Sequence, residues 1–296
     1  MRLFALELNN DIKGITKRKI YIESLIAQLD APDFVILPEL ALCSYMANPD
    51  MWKYADDCGK DASEWSVMIA KKYHTYVGVG YLDKENDDYY NRYLIAGPEG
   101  VCGVVTKSEG ESAVFKRGSF NNVIVTPFGN IGVAICYDSK RKHFYDNVKN
   151  KDLSLILFPH GCPADPTKPE EEKKTNDMFC GKYLDAFSVP VVYVNSIGKL
   201  ESMPGKMGAM MLKSGFKMNG HSKIYAPSMC SIQTNLIEAI AGDVSLSPQR
   251  LKRKIHFYKE DLIPSNWLFR YFILRPDTKA GIKFYERNHT RCSFKK

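Results

Sequence analysis

NVIVTPFGNIGVAICYDSKR, residues 122–141, decides how this chain is read. Two apolar runs of strand type fold over Pro127-Phe128-Gly129-Asn130. The second ends on Cys136, and Tyr137, Asp138 and a charged stretch follow at once. A strand that stops in a sharp turn and resumes as a helix has the geometry of a nucleophile elbow. It exposes the side chain at the turn and leaves the next backbone N–H free to hold an oxyanion. Most cysteines are buried structural thiols. We adopt that reading for the other seven of the eight cysteines and not for Cys136.

On either side the same alternation of elements continues. Segments 2–8 (RLFALEL) and 33–37 (DFVIL) read as strands, and Ile15, Ile22, Leu25, Ile26 and Leu29 recur between them at helical spacing. VGVGYL (77–82) and YLIAGP (93–98) form a hairpin across the polar turn KENDDYYN. LSLILFP (153–159) and VPVVYVN (189–195) have the pattern of buried strands, with the helix-compatible stretch 170–187 between them. Hairpins mixed among β–α units predict a layered α/β protein rather than a simple doubly wound parallel sheet. No repeat period and no Gly, Ser or Pro linker divides the 296 residues.

Two further residues stand where strands end. Glu39 follows the apolar strand of VILPELALCSY (35–45) directly, at the exit where α/β sheets place functional groups. A lone Glu there is more often a solvated loop residue or a helix N-terminal acid. Lys107 ends VVTK (104–107), beyond the turn Gly97-Pro98-Glu99-Gly100. Taken singly it reads as a surface lysine, and only its order among the other sites lifts it.

Glu39, Lys107 and Cys136, taken together, resemble the Glu–Lys–Cys triad of the nitrilase superfamily. The opening PEL with Tyr45 looks like that family's first catalytic motif, and residues 78–107 resemble the hairpin leading to its lysine. Glu111, Phe115 and Gly118 match its Glu, aromatic and Gly spacing, and Cys136-Tyr137-Asp138 its nucleophile motif. Asn195 and Gly198, then Phe216, Gly220, Ser222, Ile224 and Pro227, look like its late strand pattern, and Arg275-Pro276-Asp277 resembles a piece of its C-terminal strand. The resemblance covers roughly residues 1–240.

The resemblance implies a four-layered αββα sandwich, extended to eight layers on dimerisation, with a carbon–nitrogen hydrolase domain over residues 1–250. It implies that Cys136 attacks, that Glu39 moves the proton and that Lys107 holds the oxyanion beside the N–H of Tyr137. Glu111 orients Lys107, and Tyr45 and His160 are the expected substrate contacts. The implied reaction is hydrolysis of a non-peptide C–N bond in a small amide or N-carbamoyl substrate through a thioester. Tyr137-Asp138 after the nucleophile looks like the amidase and carbamoylase branches; true nitrilases usually carry Trp-Glu there. Nitrile hydrolysis and acyl transfer to another acceptor are the alternatives on the same triad. The sequence departs from the family in a short stretch between Lys107 and Glu111, in SKRKHFYD (139–146), and around Lys182 and Asp185. All three lie around the pocket and bear on substrate choice.

Composition sets the remaining expectations. With 45% hydrophobic and 25% charged residues the chain has an ordinary globular profile. No Cys-x-x-Cys pair occurs, and the six His show no His-x-His or His-Glu-x-x-His spacing, so neither a zinc cluster nor any cofactor is expected. Free thiols in a chain this long point to a reducing compartment, the cytoplasm. MRLFALELNN lacks the basic start and long apolar core of a secretory signal. The longest apolar runs fall far short of the roughly 20 residues of a membrane span.

From Arg250 onward 13 Lys and Arg stand against 4 Asp and Glu, a net of +9 in a chain of +7. Residues 251–296 are thus a basic, aromatic-rich extension, a composition that can bind single-stranded nucleic acid. Leu262-Ile263, Trp267-Leu268 and Tyr271-Phe272-Ile273 read instead as packing groups against the body or a second copy, with the bases solvated. That reading favours a homo-oligomer with a small-molecule substrate and argues against a nucleic-acid partner. An inactive relative kept as a binding module is the remaining alternative, and the intact triad argues against it.

Overall fold

Two β-sheets carry the molecule, and in each the central strands are parallel while the edges are antiparallel. The computed structural model describes residues 1–264 and 267–290. The first sheet contains β1 (Arg2–Leu6), β2 (Phe34–Ile36), β3 (Tyr76–Glu85), β4 (Asp88–Gly97) and β5 (Gly100–Thr106). The second contains β6 (Val123–Thr126), β7 (Gly129–Val133), β8 (Leu153–Pro159), β9 (Val191–Val194) and β10 (Lys223–Tyr225). The chain then returns to the first sheet with β11 (Met229–Ile232) and β12 (Ala239–Val244). The strand orders are β11-β12-β1-β2-β3-β4-β5 and β10-β9-β8-β7-β6.

Side chains of both sheets meet in one apolar layer, where Leu3, Phe34, Ile36 and Ile95 face Ile131, Val133, Leu155 and Val192. The outer face of the first sheet is covered by α1 (Ile15–Ile26) and α2 (Lys60–Tyr73), with Ile22, Ile26, Trp65 and Ile69 on Phe4, Val35 and Val79. The outer face of the second is covered by α3 (Lys142–Val148) and α4 (Pro169–Phe187), with Phe144, Phe179 and Tyr183 on Ile156, Phe158 and Tyr193. Each sheet is buried on both faces, as parallel strands require. The result is the expected αββα sandwich. Local sequence agrees with it: α4 starts on Pro169 with three glutamates in its first turn, and α2 ends with two lysines in its last, both matching the helix dipole. Among the described residues no helix is long and apolar enough to cross a membrane.

The structure differs from the sequence reading in three places. The turn expected over residues 84–91 is only Asn86-Asp87, both at positive φ, and the flanking polar residues pair as strand. A two-residue turn of this hand matches strand twist, so β3 and β4 run longer than their apolar cores. Arg275-Pro276-Asp277 lies within a helix, not a strand. After α5 (Gly205–Lys213), residues 267–274 are already helical, with a π-turn over Arg270–Leu274, and run directly into α6 (Arg275–Asn288). Pro276 follows the π-turn, and Asp277 accepts from Met207 N at 2.7 Å, joining α6 to α5. The expected packing groups of the tail divide. Leu262 is fully buried on the α3–α4 side, whereas Trp267, Tyr271 and Phe272 are more than half exposed on this chain.

One close approach fixes the site's first loop. Leu37 N and Leu42 N donate to the carbonyls of Gly78 and Gly80, so residues 37–42 stay pressed on β3 after β2 has ended. A Cβ on Gly80 would lie 2.5 Å from Leu40 N and 2.6 Å from Pro38 O, both backbone atoms that cannot swing aside. Gly80→Ala is therefore expected to destabilise the protein by roughly 1–3 kcal/mol, the cost of overpacking a full core. Urea unfolding of the variant against the parent measures it, and an unchanged midpoint would mean that the loop relaxes freely.

Candidate active site

The parallel strands of both sheets end at the same edge of the sandwich, and the polar side chains gather there. Glu39 stands three residues beyond β2, Cys136 three beyond β7, and Asn195 one beyond β9, while Lys107 follows β5 directly. Functional groups beyond the carboxyl ends of parallel strands are held by rigid backbone on one side and remain free of ladder bonds on the other.

Glu39, Lys107 and Glu111 form a buried chain of charge. Lys107 Nζ donates to Glu39 Oε1 at 2.6 Å and to Glu111 Oε2 at 2.9 Å. Glu39 Oε1 also accepts from Asn91 Nδ2, and Oε2 accepts from Gly161 N, each at 2.7 Å. Tyr45 OH donates to Glu111 Oε1 at 2.8 Å. Burial pushes the Glu39 carboxyl above its ordinary range; Lys107 only partly opposes this, and Glu111 adds to it. Burial works against the ammonium of Lys107, but Glu111, Glu39 and Cys136 outweigh it and hold the group well above its usual range. Burial also opposes the charge on Glu111, and Lys107 overcomes it, leaving this carboxylate below its ordinary range. Of the two acids, Glu39 is thus the one poised to take and return a proton.

Cys136 sits at φ +51°, the left-handed region that only a short list of residues enters without strain. It opens a 3₁₀ turn, Cys136–Lys140, in which Ser139 Oγ donates back to Cys136 O at 2.6 Å. The thiol is almost covered. The neighbouring Cys162 thiol, burial and Glu39 push it well up, with Lys107 opposing, so it rests as S–H. Asp138, fully buried, accepts from Ser108 N and Glu109 N at 2.8 Å each. It thereby ties the cysteine turn to the lysine loop.

The other expected residues fall into different places. The Tyr137 ring lies by Arg141, and its OH reaches Asp261 of the C-terminal segment at 3.5 Å. Tyr45 is buried behind Glu111. His160 is fully covered, with Nδ1 2.9 Å from Phe158 O and Nε2 3.5 Å from Ser139 Oγ. Burial and the Lys140 charge hold it well below its usual range, so it packs as a neutral ring beside Tyr193. Asn91, Gly161 N and Cys162 were not anticipated, and Asp138 only as part of the Cys136-Tyr137-Asp138 motif. Asn91 reads in the sequence as the end of the polar turn KENDDYYN, whereas it lies inside β4 next to Arg92. The expectation that all seven other cysteines are buried does not hold: Cys43 and Cys180 are, Cys102 and Cys162 are partly open, Cys58 and Cys230 are exposed, and Cys292 lies outside the described residues.

The short Lys107–Glu111 stretch has a structural counterpart. A cavity of about 500 Å³ opens beside it, lined by Gly110, Phe115 and Lys116 and, from α6, by Ile282 and Tyr285. Tyr285 accepts from Tyr89 N at 2.8 Å and packs edge-on against Trp52, and Gly281 rests directly on Ser112. The C-terminal helix is therefore a wall next to the charged cluster. Among the described residues no group of His, Cys, Asp and Glu is arranged to hold a metal ion.

Comparison with known proteins places the chain in a family. Residues 10–235 match the family model described as carbon–nitrogen hydrolase. The chain belongs to the carbon–nitrogen hydrolase family. A probable nitrilase of Schizosaccharomyces pombe is 26% identical over 275 residues, covering 86% of this chain and 91% of that one. An omega-amidase of Xenopus laevis is 24% identical over 36% of this chain and 44% of its own. Among solved structures, a carbon–nitrogen hydrolase from Helicobacter pylori superposes with a TM-score of 0.65 at 17% identity, covering 76% of this chain and 82% of that one. An amidase from Nesterenkonia, with an acetamide moiety added covalently at its active-site cysteine, gives 0.61 at 15% identity over 77% and 82%. This carbon–nitrogen hydrolase thus shares their fold.

The tie made by Asp138 generates a prediction. Asp138→Ala would leave the N–H groups of Ser108 and Glu109 buried without acceptors, at about 1–3 kcal/mol for each orphaned donor. Denaturant unfolding is expected to show the loss, with activity falling as the Lys107 loop lifts from the Cys136 turn. A variant as stable as the parent would show that water replaces the carboxylate.

Proposed function

We propose that this enzyme hydrolyses the C–N bond of a small amide or N-carbamoyl compound through a thioester on Cys136. The observation that carries the proposal is the buried Glu39–Lys107–Glu111 chain beside a strained cysteine turn. It puts a carboxylate of raised pKa, a fixed cation and a thiol in one covered site.

Each group has a role that follows from its state. Glu39 takes the proton of Cys136 as the sulfur attacks the carbonyl carbon. The ammonium of Lys107 and the N–H of Tyr137 stabilise the oxyanion, at roughly 3 kcal/mol for a good donor. The tetrahedral intermediate expels a nitrogen that must be protonated as it leaves, and Glu39 holds the proton just taken. Glu39 then activates water to cleave the thioester and returns a proton to the sulfur. Glu111, oriented by Tyr45, keeps Lys107 charged and in line. The amidase names among the relatives, and a citrullinase of Francisella tularensis at 22% identity, support an amide or N-carbamoyl substrate over a nitrile.

Cytoplasmic location and pairing with a second copy belong to the same proposal. The exposed aromatics Trp267, Tyr271 and Phe272 form an apolar patch of the kind that usually marks an interface. Replacing them with serine is expected to shift the sedimenting mass toward monomer. An oligomer that survives the replacement places the interface elsewhere.

Cys136→Ala is expected to lower ammonia release on the order of 10⁴-fold or more with the thermal melt unchanged. Near-parental activity would remove Cys136 as nucleophile. A panel of matched amide, N-carbamoyl and nitrile substrates decides the reaction type, and higher kcat/KM for the nitriles would overturn the amidase reading. The pH profile tests the base. Because Glu39 must be ionised and its carboxyl is raised, kcat/KM should rise with pH through a limb above the ordinary glutamate value of 4.5. Glu111→Gln removes a negative neighbour, so the limb should move to lower pH while kcat falls. A limb that stays put would mean that another group is titrating.

A further inference from the structure

Cys162 is the one reactive side chain at the site that the mechanism above does not use. It stands three residues beyond β8, and Cys136 stands three beyond β7; these strands are parallel neighbours with Val133 opposite Leu157. The two free thiols pack in the same apolar cluster and shift each other's acidity in opposite directions. Cys162 is held by its backbone rather than its side chain. Its N–H donates to Asn195 Oδ1 and its carbonyl accepts from Asn195 Nδ2, each at 3.0 Å. Its sulfur makes a long contact, donating to the Pro163 carbonyl at 3.9 Å. Cys162 is partly open, whereas Cys136 behind it is nearly covered.

We propose that Cys162 and Cys136 form a redox-active dithiol that a small peroxide converts into a disulfide, closing the catalytic site reversibly. Accessibility and acidity set the order of events. The neighbouring Cys136 thiol draws Cys162 down to about 7, so near neutral pH a substantial share of the outer sulfur is thiolate, the form that attacks peroxides. The two thiols titrate as a pair, and the anion resides on the outer sulfur while the inner one keeps its proton.

The Cys162 thiolate attacks one peroxide oxygen, the O–O bond breaks and hydroxide leaves, giving a sulfenic acid. The Cys136 sulfur then attacks the Cys162 sulfur and passes its proton to Glu39. The S–O bond breaks, the departing hydroxide takes a proton to become water, and the S–S bond forms. Two thiols and one hydrogen peroxide become one disulfide and two waters. An external dithiol restores both thiols. In this state the nucleophile is blocked, yet it is shielded from irreversible oxidation to sulfinic acid.

Hydrogen peroxide followed by dithiothreitol tests this on the full chain, with ammonia release and the mass of the intact protein followed together. The parent is expected to lose activity, to become two hydrogens lighter, to yield a peptide cross-linked between Cys136 and Cys162, and to regain full activity on reduction. Cys162→Ser, or Cys162→Ala should the serine variant fold poorly, is expected to give no cross-link; any activity it loses should stay lost and accompany added oxygen on Cys136. Cys136→Ala should accumulate a sulfenic acid on Cys162, trapped by dimedone. Lost activity without the cross-linked peptide in the parent, or full recovery of the Cys162 variants, would overturn the dithiol. The proposal depends on Cys136 as nucleophile only for its effect on turnover. A cross-link that forms while activity persists would uphold the dithiol and count against the catalytic assignment instead.

Discussion

Placing the ammonium of Lys107 out of water between Glu39 and Glu111 is the constraint around which the site is built. A buried charge costs several kcal/mol in desolvation, and removing one member of a buried pair typically costs 3–5 kcal/mol. The molecule meets that cost with two carboxylates on one cation and with donors on every remaining carboxylate oxygen. Asn91 and Gly161 N satisfy Glu39, and Tyr45 satisfies Glu111. The asymmetry between the acids then follows. Glu111 gains its ion pair and stays ionised, while Glu39, more deeply buried and facing a second anion, is left easier to protonate. A base matched to a thiol is thus a consequence of where one lysine is held.

Holding it requires both sheets. Glu39 and Lys107 belong to the first sheet, Cys136 and Gly161 to the second, and the apolar layer between the sheets sets the distance at which they meet. Two close contacts complete the registration. Gly80 lets the Glu39 loop lie on β3, and Asp138 binds the start of the Lys107–Glu111 loop to the cysteine turn. Because that loop is short, Lys107 and Glu111 stand four residues apart and pair directly, leaving an opening that α6 borders.

The C-terminal segment serves the fold in two unlike ways. Residues 249–262 are fastened to the second sheet and its helices by backbone bonds, among them the mutual pair of Leu153 with Gln249 and the bond from Leu262 N to Lys140 O. Asp261 there pairs with both Arg141 and Arg270 beside Tyr137, and Glu109, 3.4 Å from Arg141, supplies the second negative charge. Beyond it, α6 crosses to the first sheet and seats Tyr285 by Trp52. Among the described residues, Lys252, Arg253, Lys254 and Lys259 and, on α6, Lys279 and Lys283 are exposed, where solvent carries the cost of their charge.

Much of this was legible in the sequence, because strand and helix periodicity report burial directly. The apolar runs at 2–8, 33–37, 122–136 and 153–159 read as strands, and Glu39, Lys107 and Cys136 stood at strand exits. What the sequence did not determine was anything that depends on contacts between distant segments. Asn91 reads as the last residue of a polar turn until the strand extends through it and Glu39, 52 positions away, is brought to it. Cys162 reads as one more small apolar residue until β7 and β8 lie side by side. The tail is equally ambiguous: Arg275-Pro276-Asp277 reads as a strand until packing on α5 and on Ser112 places it in a helix. Local pattern fixes which face of an element is apolar. Which polar groups meet at its end is decided by long-range packing, and there the tertiary structure alone had the information.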